Sequence, residues 1–306
     1  MPRDLPIPSI RKGDISGGLA SAVTSIGGNV AAGVIAFAPL GPDYLGEAIL
    51  AGMLSSIVAG LLASLTGSAP GLIVGPQATT SMAFAALLGQ LLATGQFDGR
   101  PDLLLSLAFA AVMISGSVQI LLGAFRVGGL VNFMPFPVVA GIQNTTAILL
   151  ISGQLWTILG VERGRGPDVT PFREALAQVQ PATVVVALVT ALIAWKGGRF
   201  VARAAVPLVA LGVGTGLYYG FEILMPGVGL GGQLPRIEAA LPSPQYLGGI
   251  VSGLGEAARL DVLAALLTGA LAMAVLDSVG SLITLLSYQS VADKRFPANS
   301  QLVGKA

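Results

Sequence analysis

Asp277 is the one carboxylate that lies near the centre of a long apolar stretch, residues 262–286. A carboxylate at the centre of a bilayer costs about 2.5–3.5 kcal/mol on insertion scales, so it normally faces a polar cavity or a partner. Ser281 follows four residues later, so on a helix its hydroxyl shares a face with the carboxylate. This set of oxygen atoms suits Na⁺ or a titrating proton and does not suit a soft metal. The alternative interpretation is a structural hydrogen bond to another helix.

A second polar segment, residues 71–81, follows another apolar stretch and contains Gly75 and Pro76. Proline is favoured at the first position of a helix, so this pattern predicts a helix that begins inside the membrane. The free N–H groups and the positive dipole end of such a helix bind anions, and broken helices of this kind build transporter sites. The side-chain donors would be Gln77, Thr79, Thr80 and Ser81. The simpler interpretation is a loop before an ordinary third span.

The first apolar stretch also has polar and small residues in its middle, at Gly27, Gly28 and Asn29. Paired glycines allow either close packing of helices or a break in the helix. Asparagine is more costly to bury in lipid, so we expect Asn29 to make a functional or an interhelical hydrogen bond.

The composition is that of an integral membrane protein. Of 306 residues, 54% are hydrophobic and only 10% are charged, whereas soluble domains are about 25% charged. The net charge of +1 gives no field that would attract nucleic acid. The chain contains no cysteine and no histidine, which excludes disulfides, thiolate metal sites and nucleophiles paired with histidine. We therefore expect a protein that is not an enzyme.

Long gaps between charged residues predict eight membrane spans of about 20 residues or more. Their approximate bounds are 15–37, 45–66, 72–93, 103–125, 131–160, 178–195, 204–224 and 262–288. The predicted fold class is an all-α, polytopic helical bundle. Lys and Arg are more numerous in the segments that a cytoplasmic N-terminus would place inside, which favours that orientation.

Five short motifs are distributed along nearly the whole chain. They are residues 14–19, residues 74–76, residues 126–131 continued by Phe133, Pro135, Pro137, Gly141 and Asn144, residues 207–208, and residues 232–235. Together they resemble the sulfate permease (SulP) family of inorganic anion transporters. The resemblance implies fourteen segments in two inverted repeats of seven, with broken helices, as in transporters that are similar to uracil permease.

The resemblance also implies a site. In the family the anion lies beside the first segment and at the half-helix of the third, which corresponds here to Gln77, Ala78, Thr79, Thr80, Gly28 and Asn29. Asp277 corresponds to the acidic position of the eighth segment, and with Ser281 it would hold the coupling ion, Na⁺ or H⁺. We expect no other cofactor and no metal centre.

The chain ends at Ala306, where the resemblance places the ninth segment. We therefore expect a truncated chain, with an incomplete second repeat, half of the anion site and no STAS domain.

The predicted function is secondary active transport of sulfate, bicarbonate or a small dicarboxylate, coupled to Na⁺ or H⁺. We expect the protein in the inner or plasma membrane, surrounded by lipid, and as a homodimer in the full-length form of the family. Two alternatives stay open, namely a nucleobase transporter of the same fold and a non-transporting fragment or assembly subunit.

Overall fold

The computed structural model describes residues 12–66, 72–97, 99–125, 136–161, 172–201, 205–231 and 260–292. These ranges contain nine α-helices and no strand. The helices are α1 (Lys12–Phe37), α2 (Leu45–Thr66), α3 (Ala78–Ala93), α4 (Pro101–Ala124), α5 (Phe136–Leu159), α6 (Phe172–Ala177), α7 (Pro181–Lys196), α8 (Val206–Leu224) and α9 (Leu260–Ala292). Short 3₁₀ turns, Ala38–Leu40 and Pro42–Tyr44, connect α1 to α2, and a third, Gly197–Arg199, follows α7.

Within the described ranges, six helices are long and apolar enough to cross a membrane: α1, α2, α4, α7, α8 and α9. Many of their large apolar side chains are exposed, as expected for surfaces that face lipid. Helix α3 has only 16 residues. Helix α5 has 24 residues.

Most helix boundaries differ from the predicted spans by a few residues, and the starts of α3 and α7 are two examples. The third helix begins at Ala78 instead of residue 72, because residues 72–77 are not helical. The predicted span 178–195 corresponds to α7, which starts at Pro181, in the first turn of the helix, where its missing N–H costs no hydrogen bond.

The described helices fall into two compact units. One unit contains α1 up to Gly28, the end of α5 from Leu155, and helices α6, α7 and α8. The other contains the rest of α1 and α5, together with α2, α3, α4 and α9.

Helices α7 and α8 form the centre of the first unit. They approach closely at Gly214, where an added Cβ would lie 2.6 Å from the Thr190 hydroxyl oxygen. The end of this unit is fixed by Gly231, whose N–H donates to the Thr183 hydroxyl at 2.8 Å. The Tyr218 hydroxyl donates to the main-chain oxygen of Gly231 at 3.3 Å.

Helices α3, α4 and α9 form the hydrophobic core of the second unit, with contributions from Phe37 and Ala48. Helix α9 faces this core with a stripe of buried residues at intervals of three or four, which is one face of an α-helix. The stripe consists of Val262, Leu266, Ala270, Met273, Asp277, Ser281 and Leu285. Asp277 and Ser281 therefore occupy positions that the rest of the helix uses for apolar packing.

In the second unit, α1 and α2 cross in close contact at two glycines. A Cβ on Gly33 would collide with the main-chain oxygen of Ala48, and a Cβ on Gly52 would collide with that of Asn29. Small residues at such crossings allow backbones to approach in membranes. For Gly27 and Gly28 the sequence left close packing and a helix break both open, and an added Cβ at either glycine would meet no described atom within 4 Å.

Candidate functional site

The entry to α3 is an extended segment followed by an uncapped helix. Gln77 is the residue before the helix, with φ −101° and ψ 140°, and no side chain caps the first turn. The first intrahelical hydrogen bond runs from the Ser81 N–H to the main-chain oxygen of Gln77, at 2.9 Å. The N–H groups of residues 78–80 therefore have no acceptor within the helix, and they lie at its positive end.

This geometry supports the predicted broken helix, but the position of Pro76 differs from the prediction. Pro76 precedes the residue at the helix start, whereas the sequence pattern places it at the first helical position. Its fixed φ still suits the extended chain that leads into the helix.

Gly75 lies where α1 and α2 leave little room. An added Cβ would be 3.2 Å from the Asn29 side-chain oxygen and 3.2 Å from the Ser56 hydroxyl oxygen. The absence of a side chain at Gly75 thus lets the extended segment pass close to two polar groups. The Asn29 side chain therefore lies next to the segment that leads into α3.

A cavity of about 210 Å³ lies at the start of α3. Its lining consists of Asn29, residues 72–77, Ser281 and Thr284. Apart from apolar groups, these residues present amides, hydroxyls and main chain, and none of them is charged. Such neutral donors at a helix N-terminus form a suitable environment for a small anion. We refer to this space as the neutral cavity.

Gln77 connects the two sides of the neutral cavity. Its side-chain nitrogen donates to the Ser281 hydroxyl oxygen at 3.5 Å. Its amide oxygen occupies the space that a Cβ on Gly280 would need. Gly280 therefore makes room for Gln77 beside α9. Because Gln77 and Gly280 are far apart in the sequence, local pattern does not reveal this role of the glycine.

Asp277 is buried, with 8% of its surface exposed. The Thr80 hydroxyl, in the first turn of α3, donates to the carboxylate at 3.4 Å. The Ser281 hydroxyl donates to the main-chain oxygen of Asp277 at 2.7 Å. Ser281 thus shares the helix face of Asp277, as expected, but its hydroxyl donates to the backbone.

A second cavity, of about 340 Å³, contains the carboxylate, and we refer to it as the acidic cavity. Asp277 and Thr80 line this cavity, whereas Ser281 and Asn29 line only the neutral one. Residues 75–77 line both cavities. The extended segment before α3 is therefore a wall between a neutral space and an acidic one.

The sequence-predicted site residues divide between these two cavities. Asn29, Gln77 and Ser281 line the neutral cavity, and Gln77, Thr80 and Asp277 line the acidic cavity. Ala78 and Thr79 line neither cavity. Their main-chain N–H groups are among those left without an acceptor in the first turn of α3. Gly28 is exposed on α1 and lines neither cavity.

Sequence reasoning missed the role of Gly280 beside Gln77. It also missed Ser115 and Gln119 of α4, which both line the acidic cavity. The signal for the α4 pair was a glutamine one turn after a serine in an apolar span.

Comparison with known proteins places these features in a family. The profile described as the sulfate permease family matches residues 12–305. The bicarbonate transporter BicA of Picosynechococcus sp. is 27% identical over 96% of this chain and 49% of its own length. A probable sulfate transporter of Mycobacterium tuberculosis is 26% identical over 90% of this chain and 48% of its own length. The chain therefore spans about half the length of these curated relatives.

A solved structure shows the same fold. The transmembrane domain of a cyanobacterium bicarbonate transporter BicA matches with a TM-score of 0.72 and 27% identity, over 96% of this chain and 69% of that chain. The predicted resemblance and the all-helical membrane fold are confirmed. The prediction that the protein is not an enzyme is also confirmed, because the family and its named relatives are transporters.

Proposed function

This chain belongs to the sulfate permease family of membrane anion transporters, and on that premise we propose that it transports bicarbonate coupled to Na⁺. The observation that carries the proposal is the uncapped start of α3, since the segment leading into it, residues 75–77, lines both the neutral cavity and the acidic cavity that contains Asp277. An anion and a cation would then bind on opposite sides of residues 75–77.

The anion would bind in the neutral cavity. The side-chain amides of Asn29 and Gln77 would be its donors, and the positive end of α3, with the free N–H groups of residues 78–80, follows directly after Gln77. No basic residue lines this cavity in the described ranges. A helix N-terminus supplies only about half a positive charge, which favours a monovalent anion over the divalent sulfate.

The cation would bind at Asp277. A carboxylate with the Thr80 hydroxyl is a set of hard oxygen ligands. No group of three or more acidic residues occurs in the part of the chain that the structure describes, so a single charge suits a monovalent cation. Na⁺ at Asp277 would cancel the charge of the carboxylate, which would otherwise repel an anion across the wall.

Uptake into proteoliposomes tests both halves of this proposal. We expect labelled bicarbonate to enter faster with an inward Na⁺ gradient than with choline. Asp277→Asn should lower uptake to the rate without Na⁺, because a neutral amide does not balance the cation. Asp261→Asn, at the start of the same helix and outside both cavities, is the matched control.

The outcomes separate the alternatives. Transport of sulfate, a dicarboxylate or uracil in preference to bicarbonate would overturn the proposed substrate. Full Na⁺ stimulation in Asp277→Asn would overturn the coupling role. We further propose that the protein resides in the plasma membrane, with a cytoplasmic N-terminus, and forms a homodimer.

A further inference from the structure

Helix α4 contributes polar side chains to the acidic cavity that the proposed site does not use. Ser115 and Gln119 are four residues apart, so they lie on one face of the helix. Both line the cavity, and only 4% and 6% of their surfaces are exposed. Ser81, on the facing side of α3, is also buried and lines the same cavity.

These three side chains have no hydrogen bond within the described part of the chain. Buried hydroxyl and amide groups are nearly always paired with protein, water or a bound ion. The acidic cavity, at about 340 Å³, exceeds many times the roughly 30 Å³ that one water occupies. The cavity is therefore large enough and polar enough for water and an ion to supply these partners.

The remaining lining favours a cation over an anion. Asp277 contributes a carboxylate, which repels anions. Three aromatic rings line the cavity as well, with Phe84 between Phe37 and Phe109 at centroid distances of 5.9 and 6.3 Å. The faces of aromatic rings attract cations. No basic residue lines the cavity in the described ranges.

We propose that the acidic cavity is an entry chamber for the coupling cation, separate from the space for the anion, and that Ser115 and Gln119 bind the hydrated cation before it reaches Asp277. This inference rests on the proposed function. It adds two residues that bind the cation and a route by which the cation reaches Asp277. Residues 75–77 keep the two ions apart, because among the described residues they alone line both cavities.

Thiol labelling tests the chamber directly, because the chain has no cysteine of its own. Single cysteines at Ser115 and Gln119 should react with a small cationic thiol reagent, and Na⁺ should slow this reaction. A cysteine at Thr284, in the neutral cavity, should be protected by bicarbonate. Ser106→Cys is the control, because Ser106 lies on the same helix, is 1% exposed and lines neither cavity.

Two results with a cysteine at position 119 would overturn the chamber. One is a Gln119→Cys variant that is protected by bicarbonate and not by Na⁺. The other is a Gln119→Cys variant as unreactive as Ser106→Cys. Labelling does not require transport, so it stays informative even if uptake shows no Na⁺ dependence and the proposed coupling fails. Na⁺-dependent uptake together with labelling that Na⁺ does not change would reject the chamber alone.

Transport kinetics provide the second test. We expect Gln119→Leu and Ser115→Ala to raise the Na⁺ concentration for half-maximal uptake about three- to tenfold, since each removes one neutral ligand. The KM for bicarbonate at saturating Na⁺ should not change. Gln119→Asn, which keeps the amide, should recover part of the Na⁺ affinity. Equal changes in both constants would indicate a general structural defect and overturn the assignment.

Discussion

Asp277 shows how one residue can serve packing and chemistry at the same time. It continues the buried stripe of α9 after Ala270 and Met273, yet its carboxylate lines a cavity and accepts a hydrogen bond from Thr80. The helix therefore presents a charge on its packed face, at the start of α3, where N–H groups are open. Burial at this position is tolerated because polar groups from a second helix reach it.

The neighbouring Ser278 gives the first prediction at this scale. Its hydroxyl oxygen is buried and has no hydrogen-bond partner in the described part of the chain, and it lines neither cavity. Because an unpaired buried hydroxyl destabilises a fold, Ser278→Ala should raise the free energy of unfolding by about 1 kcal/mol. Thermal unfolding in detergent measures this change. A lower melting temperature would show that the hydroxyl has a partner.

Gly280 gives the second prediction. An alanine there would collide with the Gln77 amide and separate it from Ser281. We expect Gly280→Ala to lower both thermal stability and affinity for bicarbonate. Adding Gln77→Ala should restore stability, because the collision is gone, but not affinity, because a donor is lost. Gly89→Ala, where an added Cβ would meet no described atom within 4 Å, should leave both measurements unchanged.

At the scale of elements, the broken start of α3 and the glycine crossing of α1 and α2 act together. The crossing at Gly33 and Gly52 fixes Asn29 near the extended segment, and Gly75 lets that segment pass between Asn29 and Ser56. The position of the wall between the cavities therefore depends on three glycines in three different segments.

The crossing provides the element-scale prediction. Gly52→Val would push α1 from α2, because its Cβ would collide with the main-chain oxygen of Asn29. We expect a loss of stability of about 1–3 kcal/mol from overpacking, together with weaker anion binding as Asn29 moves. Thermal unfolding and a bicarbonate titration measure the two effects. Gly46→Ala on the same helix, where an added Cβ would meet no described atom, is the control, and equal behaviour of both variants would contradict the role of the crossing.

The sequence predicts the elements better than their contacts. Apolar stretches and the Gly75–Pro76 pair indicate the helices and the break before α3, because both depend on local hydropathy and backbone chemistry. The crossing at Gly33 and Gly52 depends on which helix lies opposite, and local pattern does not contain that information. For the same reason, the sequence does not predict that Thr80 donates a hydrogen bond to the carboxylate of Asp277.

At the scale of the whole molecule, the two units differ in what they contain. Both cavities lie among residues of the second unit. The first unit contains α7 and α8, whose packing relies on Gly214 and Thr190 and whose ends carry exposed aromatic and basic residues. Trp195 is 81% exposed, and the Lys196 ammonium lies 5.5 Å from its ring centroid. Such residues favour the interface between lipid and water.

Orientation is the prediction that belongs to this scale. The excess of basic residues predicts that the end of α7 is cytoplasmic. Phe200 and Met225 flank α8 and are both exposed, so they should lie on opposite sides of the membrane. In whole cells, an impermeant thiol reagent should label Met225→Cys and not Phe200→Cys. The reverse pattern would place the N-terminus outside.

The wall formed by residues 75–77 has an electrical consequence. In the part of the chain that the structure describes, this stretch of extended chain alone lines both the neutral and the acidic cavity. In the proposed mechanism this thin wall would also separate the two ions electrically, and its integrity would decide whether they move together or independently. If transport is coupled as proposed, loosening the wall with Pro76→Gly should produce a measurable leak current carried by Na⁺ alone.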